Sequence, residues 1–140
     1  MKNGFSIKIL FLVIPMLLMS CGGSDPLGDE SGFSTFEIEN ASNYTLSVEC
    51  TTQGYSDCNE ILIAPGESLV VGVYGEIGVM PGPLPENIFE EMSVYYDVND
   101  GEYAFGLNID PTHWVVMEET DNSITYSTTI LDADLLARQL

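Results

Sequence analysis

Positive charge is what this chain most lacks: 3 Lys and Arg in 140 residues, against 22 Asp and Glu, for a formal net charge of −19. The three are Lys2, Lys8 and Arg138, and the lone histidine, His113, is the only other basic side chain. So little Lys and Arg argues against nucleic acid as a partner, because phosphates must be neutralised. It equally disfavours electrostatic attachment to anionic lipid. One histidine and three cysteines make a poor zinc set, which asks for four ligands, so no metal or cofactor is expected. No G-x-S-x-G or other nucleophile context surrounds Ser93 or Ser123, the serines that could pair with His113. Internal repeats are absent as well. The longest apolar run, Ile9–Met19, falls short of the roughly 18–20 residues that span a bilayer, and Pro15 interrupts it. Disorder often accompanies high net charge, but aromatic and β-branched residues are too plentiful here for that.

What the chain does have begins at its start. Lys2 and Lys8 precede Ile9–Met19, and Leu18-Met19-Ser20-Cys21 ends the segment with a small residue before a cysteine. A positive start, a short apolar core and a small-residue cleavage site describe a secretory signal. The Leu-Met-Ser-Cys end resembles the lipobox of bacterial lipoproteins, although Met19 stands where a small residue is usual. The resemblance implies that residues 1–20 are removed and that Cys21 is acylated to become the mature N-terminus. Acyl chains would then be the membrane contact. Both lysines leave with the signal, so Arg138 alone faces 22 acids, 1 minus 22, or −21.

Gly22, not Asp, follows the cysteine, so the resemblance lacks the familiar inner-membrane retention signal. Asp25, Asp29 and Glu30 look like the export tag of Bacteroidota surface lipoproteins, implying an outer-membrane, surface-exposed address. Residues 21–32 form a Gly-, Ser- and Asp-rich tether that would span about 17–20 Å. With Cys21 assigned to lipid, Cys50 and Cys58 remain as an even pair in an exported protein. They are expected to form a disulfide closing Thr51–Asp57 at the ends of two strands.

From Phe33 the period becomes two. Phe36 and Ile38 alternate with Thr35 and Glu37. Tyr44, Leu46, Val48 and Cys50 form one face of a second strand. Glu60–Ala64 ends at the turn Pro65-Gly66, and Ser68–Tyr74 presents Leu69, Val71 and Val73 on one face. Ser93–Val98 and Glu102–Asn108 flank Asn99-Asp100-Gly101, a strong hairpin signal. Trp114–Glu119 and Ile124–Ile130 form a second hairpin, and Asp132 is placed to cap a short helix, Ala133–Gln139.

Eight short strands at roughly 8–12-residue spacing predict an all-β domain over residues 33–140, an antiparallel sandwich with a closed barrel as the alternative. Phe36–Asn43, followed by Ile63-Ala64-Pro65-Gly66-Glu67-Ser68, resembles small Bacteroidota lipoproteins with an immunoglobulin-like or transthyretin-like sandwich. The resemblance implies a fold and an address but no functional residue.

Four features invite a functional reading. His113 follows Asp110-Pro111-Thr112, which is ordinary turn chemistry. Asp97–Glu102 looks like a calcium loop, but its Gly101 and Asn108 miss the EF-hand positions, and a tight acidic turn explains it. Tyr55, Tyr74, Tyr95, Tyr96, Tyr103 and Trp114 could form an aromatic platform, although Tyr95 and Tyr96 must point to opposite faces. With 22 carboxylates in the chain, glycosidase-like pairs arise by chance and carry no information.

The remaining feature is Gly75–Met92, proline-rich and without period, where Pro85 opens one helical turn. Its apolar residues, among them Ile77, Met80, Leu84 and Phe89, are too many for a solvated loop. They either plug the open end of the sandwich or meet a partner. The expected protein is therefore a lipid-anchored, non-catalytic module that binds protein or glycan. A structural envelope lipoprotein without a dedicated ligand is the second reading, and a small carboxylate- or His113-dependent hydrolase the third.

Overall fold

The computed structural model describes residues 30–136. Eight strands build two four-stranded sheets packed as a sandwich. The strands are β1 Ser31–Asn40, β2 Leu46–Thr52, β3 Cys58–Ile63, β4 Ser68–Ile77, β5 Phe89–Asn99, β6 Glu102–Asn108, β7 Val115–Glu119 and β8 Ser123–Ile130. One sheet runs β4-β1-β8-β7 and the other β3-β2-β5-β6, so the barrel alternative is set aside. Two short helices, α1 Pro85–Ile88 and α2 Asp132–Leu136, and a 3-10 turn, Pro111–His113, complete the described elements. Strand β1 starts two residues inside the stretch read as tether. Cys21, the signal segment and helix residues beyond Leu136 lie outside the described residues.

The period of two decides which side chains meet. Phe36 and Ile38 of β1, Leu46 and Val48 of β2, Val94 and Tyr96 of β5, and Ile124, Tyr126 and Ile130 of β8 are all buried between the sheets. Each such apolar side chain stabilises the fold by roughly 1.5–3 kcal/mol on leaving water. Phe36 sits in an aromatic group, its ring 5.2 Å from Trp114, 5.2 Å from Tyr126 and 4.9 Å from Phe89.

Both predicted hairpins form. In β5–β6, Asn99 pairs with Glu102, and Asp100 (φ 44°) and Gly101 (φ 96°) are both left-handed, as a type I′ turn requires.

Three expectations are corrected. Strands β1 and β8 pair in parallel, from Phe33↔Ser123 to Asn40↔Ile130, while every other pair among the described residues is antiparallel. Leu69, Val71 and Val73 do not share a buried face. The register slips between Phe36 and Glu37, so Val71 and Tyr74 are buried while Leu69 and Val73 are exposed. A bulge adds one residue and breaks the alternation there. Finally, Gly75–Met92 is mostly regular structure. Strand β4 takes its start and α1 and β5 take its end, leaving residues 78–84 irregular.

Candidate functional site

The irregular connection from β4 to α1 is fastened to the start of β1. The Gly78 N–H donates to Glu30 O at 2.9 Å, and the Phe33 N–H donates to Pro81 O at 3.0 Å and to Asn122 O at 3.0 Å. The Ser34 hydroxyl, fully buried, donates to Pro83 O. A Cβ at Gly82 would come within 2.6 Å of the Phe33 carbonyl and of Ser34 Oγ, so only glycine fits that approach. Gly82, Pro83, Pro85 and Ile88 are buried, and this part of the connection closes one end of the sandwich.

The sequence-predicted residues separate into two groups. Ile77, Met80 and Leu84 are exposed, at 67%, 40% and 46%. Phe89 is not grouped with them. It opens β5 half-buried, packed edge-on to Phe36 and Tyr74 and stacked on Trp114 at 6.1 Å. The first of the two expectations for this connection, that it plugs the sandwich, holds for part of it. Its middle plugs the core, and three of its apolar side chains are left to solvent.

Trp114 and Phe89 also wall a cleft of about 170 Å³ rimmed by Glu90, Glu91 and Asp110. The other aromatic residues do not form one platform. Tyr74 and Tyr96 are buried; Tyr55, Tyr95 and Tyr103 are half-buried at scattered places. Tyr95 and Tyr96 do face opposite ways, with Tyr96 in the core and Tyr95 edge-on to Phe105 across β5–β6. Burial holds the Tyr74 and Tyr126 phenols above their ordinary pKa, with Asp57 adding for Tyr74, and Glu86 and Glu119 for Tyr126. Burial, then Glu76, does the same for Tyr55.

His113 ends a 3-10 turn, Pro111–His113, whose cap is Asp110. The Asp110 carboxylate accepts from the Thr112 hydroxyl and, at 2.8 Å, from the Thr112 N–H. Those bonds, with His113 beside them, lower the Asp110 pKa. His113 Nδ1 lies 3.1 Å from the Asp110 backbone nitrogen, whose N–H it can accept, and 3.1 Å from the Asp110 carboxylate. The pair serves the turn's own backbone, and among the described residues no serine hydroxyl bonds to His113.

In the β5–β6 turn, Asp97 Oδ1 accepts from Asn99 N–H at 3.0 Å and from Gly101 N–H at 3.1 Å. That carboxylate is occupied in shaping the turn. Among the described residues no three His, Cys, Asp or Glu side chains converge on a metal position.

Cys50 and Cys58 are disulfide-bonded, their Cα atoms 4.9 Å apart as direct cross-strand partners of β2 and β3. This agrees with the pairing expected from the cysteine count.

No protein-family model matches this chain, and no curated protein matches it.

The sequence places a strand at Trp114–Glu119, as found, but gives no expectation that all five residues of β7 are exposed. The available signal was the absence of alternation: three apolar residues in succession, then Glu118-Glu119.

Proposed function

We propose that this protein is a lipid-anchored, non-catalytic module of the bacterial outer membrane that binds protein or glycan through the exposed end of its sandwich. The observation that carries the reading is the contrast within one connection. Gly82, Pro83 and Pro85 are buried, and the Pro81 and Pro83 carbonyls accept hydrogen bonds from β1, while Ile77, Met80 and Leu84 beside them stay in solvent. Apolar side chains held on a backbone that is already ordered bind at little further entropic cost.

The lipobox-like Leu18–Cys21 segment supports the anchor, and the sandwich suits the immunoglobulin-like or transthyretin-like lipoproteins that the sequence resembles. Strand β1 begins at Ser31, where it pairs with Ile77, so an acylated Cys21 puts the exposed apolar end near the tether's origin.

Two measurements test the reading. Cys21→Ala should leave an unprocessed precursor or a species without acyl mass, and normal acylated protein from that variant would refute the anchor. The second is capture by the lipidated protein from its own envelope after mild crosslinking, compared with a Met80→Ser, Leu84→Ser variant. A specific partner lost at unchanged melting temperature supports the surface. An unchanged capture profile, or a fall of many degrees in melting temperature, assigns these side chains to the fold alone.

A further inference from the structure

Among the described residues, strand β7 stands at the edge of its sheet, paired with β8 on one side only. An edge strand that closes a sandwich normally alternates apolar-in and polar-out. Here Val115, Val116 and Met117 are consecutive and all exposed, at 61%, 46% and 68%. The physical reason lies across the sandwich, at α2. That helix packs on β6, where Leu135 is fully buried and its Cδ2 fills the space above Gly106. Among the described residues, strand β6 therefore receives the cover, and β7 does not. Between them runs a groove of about 430 Å³, lined by the apolar Leu107, Val115, Met117 and Ile130 with His113 and Asp134.

Exposed apolar edges are usually defended by lysine, proline or a cover. Strand β7 has a bulge between Val116 and Glu118, but no lysine and no proline. Its charged residues are Glu118 and Glu119, and Asp121 and the groove's Asp134 add to the same sign. No Lys or Arg exists among the described residues to neutralise them. A second copy would bring the same acids to this edge. A basic segment would not.

We infer that β7 is a docking edge for an extended segment of a partner protein in which apolar residues alternate with Lys or Arg. The segment adds as a fifth strand beside β7. Its backbone pairs with the open edge, its apolar side chains enter the groove beside Val115 and Met117, and its cations are attracted by the acidic end of the strand, Glu118 and Glu119. Strands β1 and β8 separate this surface from Ile77 in the sheet order, so it does not depend on the reading above.

The test uses the purified full chain and a synthetic octapeptide of alternating lysine and valine, titrated at moderate salt. Its partner probes are the same peptide N-methylated at alternate residues, which keeps charge and side chains but removes backbone donors, and a glutamate-for-lysine version. Saturable binding by the first peptide is expected. N-methylation, glutamate exchange, or Val115→Thr with Met117→Thr should each weaken it about tenfold or more. Val70→Thr with Val73→Thr, on the opposite edge strand, should leave it unchanged. Equal binding of the N-methylated peptide would show diffuse charge attraction, equal loss in the β4 variant would show that the site is not at β7, and either would overturn the inference. So would an absence of saturable binding, or a homodimer abolished by the β7 substitutions. The N-methyl comparison stands even if the β7 variant folds poorly.

Discussion

Asn40 has the most fully used polar side chain of the described domain. It is completely buried, and its amide donates to Tyr44 O at 2.8 Å and Ile63 O at 2.9 Å. Its oxygen accepts from the Ser42 N–H at 3.0 Å and the Ser42 hydroxyl at 2.6 Å. One residue thus ties the crossing from β1 to β2 onto the end of β3. Asn40→Ala would strand several buried partners at once, at about 1–3 kcal/mol for each left unpaired. We expect a loss of roughly 2–4 kcal/mol in urea unfolding, and a loss under 1 kcal/mol would show that water replaces the amide. The disulfide is the second residue-scale prediction. Labelling of unfolded, unreduced protein should find neither Cys50 nor Cys58 free. Replacing both by Ser should cost roughly 2.5 kcal/mol without changing the fold. The two features differ in how readable they were. Cys50 and Cys58 could be paired by counting, whereas Asn40 looked like any turn asparagine, because its partners Tyr44 and Ile63 come together only in the folded chain.

At the level of elements, Gly106 controls the seat of α2. A Cβ there would meet Leu135 Cδ2 at 2.7 Å and Val94 O at 3.1 Å, and the carbonyl belongs to a paired central strand that cannot easily yield. Gly106→Ala should destabilise by about 1–3 kcal/mol and raise hydrogen exchange in α2 above that in β8. Uniform destabilisation, with α2 still as protected as wild type, would count against this local account. The strands themselves were legible, since alternation and turn residues are local: β2 reads directly as Leu46, Val48 and Cys50 against Glu49. What stayed hidden was non-local. Whether β1 pairs with β8, and in which direction, depends on residues some ninety positions apart, such as Glu39 and the Thr129 hydroxyl that donates to it at 2.8 Å. The bulge in β1–β4 was hidden for a related reason, since Val70, Val71 and Val73 suit either face equally well. The candidate surface was half legible. Composition marked Gly75–Met92 as unusual, but only packing could divide Phe89 from Ile77, Met80 and Leu84.

Across the whole molecule, charge sets the conditions under which the fold is most stable. Residues 30–136 hold no Lys or Arg, so carboxylate repulsion in the compact state goes largely unrelieved. Melting temperature should therefore rise with added salt. Asp110 adds a pH dependence. Its lowered folded-state pKa gives a contribution present above the ordinary Asp value and lost as pH falls through the folded one, a small effect for so exposed a side chain. At the alkaline end, Tyr74 and Tyr126 have raised pKa values, so their contribution is complete below the ordinary value of 10.0 and is lost as pH rises through the folded ones. Thermal melts across pH and salt would check all three, and a melting temperature indifferent to salt would remove repulsion from the account. The parallel ladder of β1 and β8 has a mechanical consequence. Its first strand leads back toward Cys21, and its last leads on to α2. If the chain is held at the first end and pulled at the other, the two strands are drawn lengthwise past each other. Every rung from Phe33↔Ser123 to Asn40↔Ile130 then shares the load at once, where a hairpin pulled from its open ends would unzip rung by rung. A domain anchored in this way resists tearing along the very axis on which its tether would pull.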